Sequence, residues 1–252
     1  MKACFLSELS WIEARDRLRA DSIVVLPLGA AAKEHGPHLK LDNDQVLAEY
    51  FARRLAERED VVVAPTISYH YYPAFTAYAG STTLRLETAR DLVVDIVESL
   101  AAFGPRRFYV LNTGVSTVRA LEPAAELLAA RGILLQYTRI ERAASAVIAR
   151  LQQQEGGSHA DEIETSMMLY IAPHSVDMSK AARDYHPGKG PLTPQRDGAG
   201  VYSATGIYGD ATLATLEKGK AIVEARVRDL RDEIALLRTT PLPGSGCATQ
   251  PR

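Results

Sequence analysis

The chain has 252 residues, 46% of them hydrophobic and 24% charged, with a formal net charge of −2 at pH 7. That length suffices for one sizeable α/β domain with a complete core, and the balanced charge argues against the basic face that nucleic acid requires. The lack of any run of roughly 18 apolar residues excludes a membrane span, while Cys4 and Cys247, at opposite ends, make no disulfide framework, so a cytoplasmic setting is expected.

The N-terminus mixes acidic and basic residues where a signal peptide needs its apolar stretch. Ser10 and Glu13 form a capping-box pattern for a helix over Trp11–Arg19. Ile23–Leu28 reads as a buried strand, followed by a loop and a helix from about Asp44 to Glu57. A second strand is expected at Val61–Pro65. The segment Ser68–Ser81 holds four tyrosines, Phe75 and His70 with little periodicity, which suits a pocket wall or a buried cap. Helical spacing then predicts a helix over Glu87–Phe103, a strand at Phe108–Leu111 ending in the turn Asn112-Thr113-Gly114, a helix at Val118–Ala130 and a strand at Ile133–Tyr137. Further helices are expected over Ala143–Gln154, His159–Ile171 and Leu213–Leu237, the last after a Gly- and Pro-rich stretch. Alternating strands and helices predict a mainly parallel sheet covered on both faces, a three-layer αβα domain over residues 1–238, with a disordered tail from Thr239 to Arg252.

The chemistry concentrates at the end of the first buried strand. There Glu34, His35, His38, Asp42 and Asp44 fall within eleven positions of one another, where open α/β sheets place their sites. Imidazoles mixed with carboxylates suit zinc, manganese or iron, and a shared carboxylate can bridge two ions. Asp42 and Asp44 also fit a plain helix-capping role. A second cluster, His159, Asp161, Glu162 and Glu164, offers an acid/base pair in His159 and Glu164. A third is Tyr208-Gly209-Asp210, in a glycine-punctuated loop, and Asp210 equally suits the start of a helix.

Three segments in this order, LPLGAAAKEHGPHLKLDND, HADEIETSMML and TGIYGDATLATLEKG, resemble the creatininase (creatinine amidohydrolase) family over about residues 5–237. The resemblance implies an αβα fold, a two-metal hydrolase of cyclic amides or related C–N bonds, and a homo-oligomer, commonly a hexamer. It implies metal-ligand roles for Glu34, His35 and the bridging Asp44, and catalytic roles for His159 and Glu164. Two departures stand out. The family's Glu-x-His-Gly is Lys33-Glu34-His35-Gly36 here, so either Glu34 shifts into the glutamate's place or Lys33 has replaced it. The family's NGHxxN is Asn112-Thr113-Gly114-Val115-Ser116-Thr117, so Gly114 stands where a metal-binding histidine would be.

The expected function is therefore hydrolysis of a small cyclic amide or related C–N bond, with one or two divalent ions, metal-bound hydroxide as nucleophile and His159 as proton shuttle. His38, His70, Tyr72, Tyr78, Asn112, His186, Tyr208 and Asp210 are candidate pocket residues. The rival readings are a binding or assembly subunit that has lost catalysis through Gly114, and an acid/base hydrolase that uses no metal.

Overall fold

The structure, a computed structural model, describes residues 3–244. Its central sheet has five parallel strands, β1 (Cys4–Phe5), β2 (Ile23–Leu28), β3 (Val62–Val63), β4 (Arg107–Asn112) and β5 (Leu134–Tyr137), in the spatial order 1-3-2-4-5. β2 lies at the centre and is buried throughout, as expected of a strand covered on both faces.

Side chains alternate across a strand, so one strand feeds two cores. Ile23 and Val25 face a layer built from α2 (Asn43–Ala56), α5 (Ser145–Leu151), α6 (Glu162–Ile171) and α7 (Leu216–Thr239). Val24, Leu26 and Leu28 face α3 (Leu86–Ala101) and α4 (Val118–Ala129) on the other side. This is the three-layer αβα architecture. The remaining helix, α1 (Trp11–Arg17), opens with the capping box, Glu13 accepting the Ser10 N–H at 2.8 Å.

From β2 the chain crosses to β3 on one side, and from β3 it passes back to β4 on the other. The loops leaving the carboxyl ends of β2 and β4 therefore diverge and open a crevice between them. Beyond α6 lie two small two-stranded sheets. One pairs β6 (Arg183–Asp184) with β9 (Gly209–Asp210); the other pairs β7 (Leu192–Thr193) with β8 (Val201–Tyr202). They fold the residues around Tyr208 back over the crevice.

Several bounds differ from expectation for local reasons. β3 stops short of Pro65, which has no N–H for the ladder. α6 starts at Glu162 rather than His159, because the Asp161 carboxylate caps it, accepting from Ile163 N at 2.9 Å and Glu164 N at 3.0 Å. α5 starts only after Ala144, which takes the left-handed conformation. Thr215 caps α7, so that helix begins at Leu216, and it takes in Thr239, where the tail was expected to begin. Residues 245–252 of that expected tail, with Cys247, lie outside the described residues. β1, two residues long, is too short to leave a periodic signal.

Candidate active site

The loop after β2 is packed from the strand outward. A Cβ at Gly29 would collide with the Asp44 carbonyl oxygen, so glycine here lets the end of β2 abut the first turn of α2. That contact fixes Asp44, which is fully buried. Its Oδ2 accepts the Lys33 ammonium at 2.6 Å and its Oδ1 lies 3.0 Å from His35 Nε2. Burial pushes the Asp44 carboxyl up in pKa, but Lys33 and His35 more than reverse this and hold it well below the usual carboxylate range. His35 Nδ1 lies 2.9 Å from the Lys33 carbonyl oxygen, so acceptors flank both ring nitrogens. Lys33 also sits 4.7 Å from the centre of the Phe75 ring.

His159 completes the other side. It lies just before α6, in an isolated bridge with Tyr208. Its Nε2 donates to the Glu34 carbonyl oxygen at 2.9 Å and to Glu34 Oε2 at 3.1 Å. With that nitrogen committed, Nδ1 is the open atom, 3.7 Å from Glu164 Oε2. The next residue, Ala160, is held at φ 49, a strained setting for a side chain, and its N–H binds Glu164 Oε2 at 2.6 Å. Gly206 is needed opposite, since a Cβ there would strike the Glu34 carboxylate. Burial pushes the Glu164 carboxyl up, opposed by His159 and Lys33.

These groups border a cavity of about 580 Å³ whose wall includes Lys33, Phe75, Gly114, His159, Glu164 and Tyr208. Glu34, His35 and Asp44 form the layer behind it. Of the eight candidate pocket residues, Tyr208 alone lines this cavity. His38 is buried, with Nε2 2.8 Å from Thr165 Oγ1, and desolvation lowers its pKa to about 4. His70 is buried beside Tyr72, their ring centroids 6.4 Å apart, and Tyr78 donates to the Ser203 carbonyl at 2.7 Å. Tyr72 is buried beneath Lys33, 5.7 Å from ring centre to ammonium. Asn112 clips the turn after β4, donating to the Gly114 carbonyl at 2.7 Å and accepting from Thr117 Oγ1 at 2.7 Å. His186 is exposed near Asp184, and Asp210 accepts from Thr212 N at 3.0 Å. Asp42 occupies the N-cap position of α2 without a side-chain capping bond.

Sequence reasoning passed over Arg226, which also lines the cavity. A signal existed: it is an arginine on the apolar stripe of α7, among Ile222, Val223 and Leu230.

A family model described as creatininase, creatinine amidohydrolase, matches residues 7–234. The chain belongs to the creatininase family. Creatinine amidohydrolase of Pseudomonas putida is 30% identical over 260 residues, covering 92% of this chain and 96% of that one. The mycofactocin precursor peptide peptidase of Mycobacterium tuberculosis is 30% identical over 232 residues, covering 87% and 86%. A solved structure named Creatininase Mn superposes with a TM-score of 0.80 at 29% identity, covering 95% of this chain and 100% of that one. The relatives so named in this family are hydrolases of C–N bonds.

A pair of metal ions does not fit the residues present. The Lys33 ammonium already lies on Asp44 Oδ2, Gly114 offers no donor, and Glu34 is turned to His159. Lys33, not Glu34, is the residue whose side chain reaches Asp44. A single ion fits only if His35 gives up one of the two acceptors that now flank its ring. His35, His159 and Glu164 present ligand atoms that all lie within 4.8 Å of one another, and two imidazoles with one carboxylate suit a zinc, manganese or iron ion.

Proposed function

We propose that this chain hydrolyses an amide-type C–N bond, in a small cyclic amide or at the end of a short peptide, inside the cavity over Lys33, His159 and Glu164. The observation that carries this reading is the setting of His159. With Nε2–H held by Glu34, the ring turns Nδ1 toward Glu164 at 3.7 Å, on the cavity wall. Nδ1 takes the proton of the attacking water and returns it to the leaving nitrogen, while the Glu34 carboxylate steadies the imidazolium through Nε2. The Lys33 ammonium, fixed by Asp44, faces the same space and favours negative charge growing on the carbonyl oxygen. A divalent ion held by His35, His159 and Glu164 would supply Lewis-acid polarisation and an acidified water.

Nδ1 cannot bind an ion and a proton together, and this separates two versions. The relative named with Mn favours the metal version. The Lys33–Asp44 pair, a cation already in place, favours acid/base hydrolysis without metal. A homo-oligomer such as a hexamer is part of this reading and rests on membership of the creatininase family. No helix among the described residues is long and apolar enough to cross a membrane, and a cytoplasmic location remains part of this reading.

The test is amine release from creatinine, other cyclic amides and short peptides, before and after chelation and reloading with Mn2+ or Zn2+. His159→Asn is expected to lower kcat by at least about 100-fold, the scale of a lost acid/base group. Undiminished turnover in that variant would sink the proposal. Turnover that survives complete chelation selects the version without metal.

A further inference from the structure

Among the described residues two cations face the cavity, and only one has an ion-pair partner. Lys33 is paired with Asp44. Arg226, on the inner stripe of α7, has its Nε sealed from solvent with no hydrogen-bond partner, and no carboxylate among the described residues comes within ion-pair reach of it. Burial disfavours its charge, and Glu164, Asp161 and Asp229 oppose that from a distance.

Each of those carboxylates is engaged elsewhere through at least one oxygen. Asp161 Oδ1 caps α6 and its Oδ2 accepts from Gln154 Nε2 at 2.6 Å. Glu164 Oε2 accepts from Ala160 N, and Asp229 Oδ2 accepts from Ala144 N at 2.6 Å. A guanidinium is charged at any pH the protein meets and carries five N–H donors in a planar fork, which it cannot shed by deprotonation. Leaving such a group half-buried and unpaired is destabilising, so the position makes sense when an anion arrives with the ligand.

We propose that Arg226 is the anchor for a carboxylate on the substrate, held in its fork at the α7 side of the cavity. This rests on the hydrolase reading above and narrows its substrate class. The compound would carry a free carboxylate near its amide, as does a peptide with a free C-terminus or a cyclic amide bearing an acid side arm. The fork sets the register, the amide lies toward Lys33 and His159, and a neutral amide gains nothing from Arg226.

Calorimetric titration of the whole protein with N-acetylglycine and with N-acetylglycinamide, which differ only in the acid, tests the anchor without requiring turnover. The acid is expected to bind about tenfold to a hundredfold more tightly, the range of a charge-assisted bidentate pair. Arg226→Met should erase that preference, and Arg226→Lys should restore part of it. If anion binding is its role, Arg226→Met should also melt higher than the parent without ligand, because an unpaired buried charge has been removed. Equal binding of acid and amide by the parent overturns the proposal even if a variant fails to fold. A preference that persists in Arg226→Met overturns it as well, as does a lower melting temperature in that variant. Amides that are never hydrolysed while the acid preference holds would defeat the hydrolase reading and leave the anchor standing.

Discussion

Lys33 and Arg226 face one cavity and solve the same problem differently. Lys33 comes from the loop beneath β2 and is neutralised by a carboxylate within its own loop and helix start. Arg226 comes from the last long helix, and the acids around it are bound to backbone and amide donors instead. A buried cation with a dedicated partner is part of the scaffold. One without a partner is held ready for something the chain does not contain.

Breaking the paired side should give the largest effect on stability. Lys33→Met leaves Asp44 charged and buried, which is expected to cost about 3–5 kcal/mol. Chemical denaturation measures it, and adding Asp44→Asn should recover most of the loss, since the stranded charge is then gone. If the single variant is as stable as the parent, the pair is not the fixture described here. Reversing the pair is the sharper test of metal capacity. Lys33→Glu with Gly114→His returns a carboxylate and an imidazole to the two departed positions, and metal content by elemental analysis should rise from at most one ion per chain to two. An unchanged content would show that another group limits binding.

His70 is a buried titratable group away from the cavity. Burial lowers its pKa from 6.5 to about 4, so the folded state resists a proton that the unfolded chain accepts. Its cost is absent above pH 6.5 and grows as pH falls toward 4, reaching about 3 kcal/mol at the 1.36 kcal/mol that each unit represents. His70→Leu should therefore flatten the fall in stability across that window while changing little at neutral pH. A parallel fall in both proteins would contradict it. The smallest effect expected is the gain of a few degrees in Tm for Arg226→Met, consistent in scale with about 1 kcal/mol in a domain of this size.

Much of this could be read along the chain, because it depends on near neighbours. The apolar run at Ile23–Leu28, the capping box at Ser10 and Glu13, and the clustering of Glu34, His35 and Asp44 behind one strand end are local patterns, and each forms its element or loop. The resemblance of three segments likewise pointed to the family. The composition of the site could not be read in that way. Adjacent residues Glu34 and His35 face different partners, one reaching His159 and the other Asp44. Lys33 is distinguished from Glu34 only by which side chain the folded loop directs at Asp44.

The sequence by itself determined the longer elements, the αβα class and the strand end where polar residues gather, since periodicity and turn chemistry act over a few residues. The tertiary structure alone decided how those residues are paired. It joined Glu34 to His159 across 125 positions, placed a lysine rather than a metal ligand on Asp44, and left Arg226 of α7 without an ion-pair partner among the described residues in the wall of the cavity. The reason is that a charge's partner is set by distance and desolvation in the packed molecule, and neither quantity is written in the order of the residues.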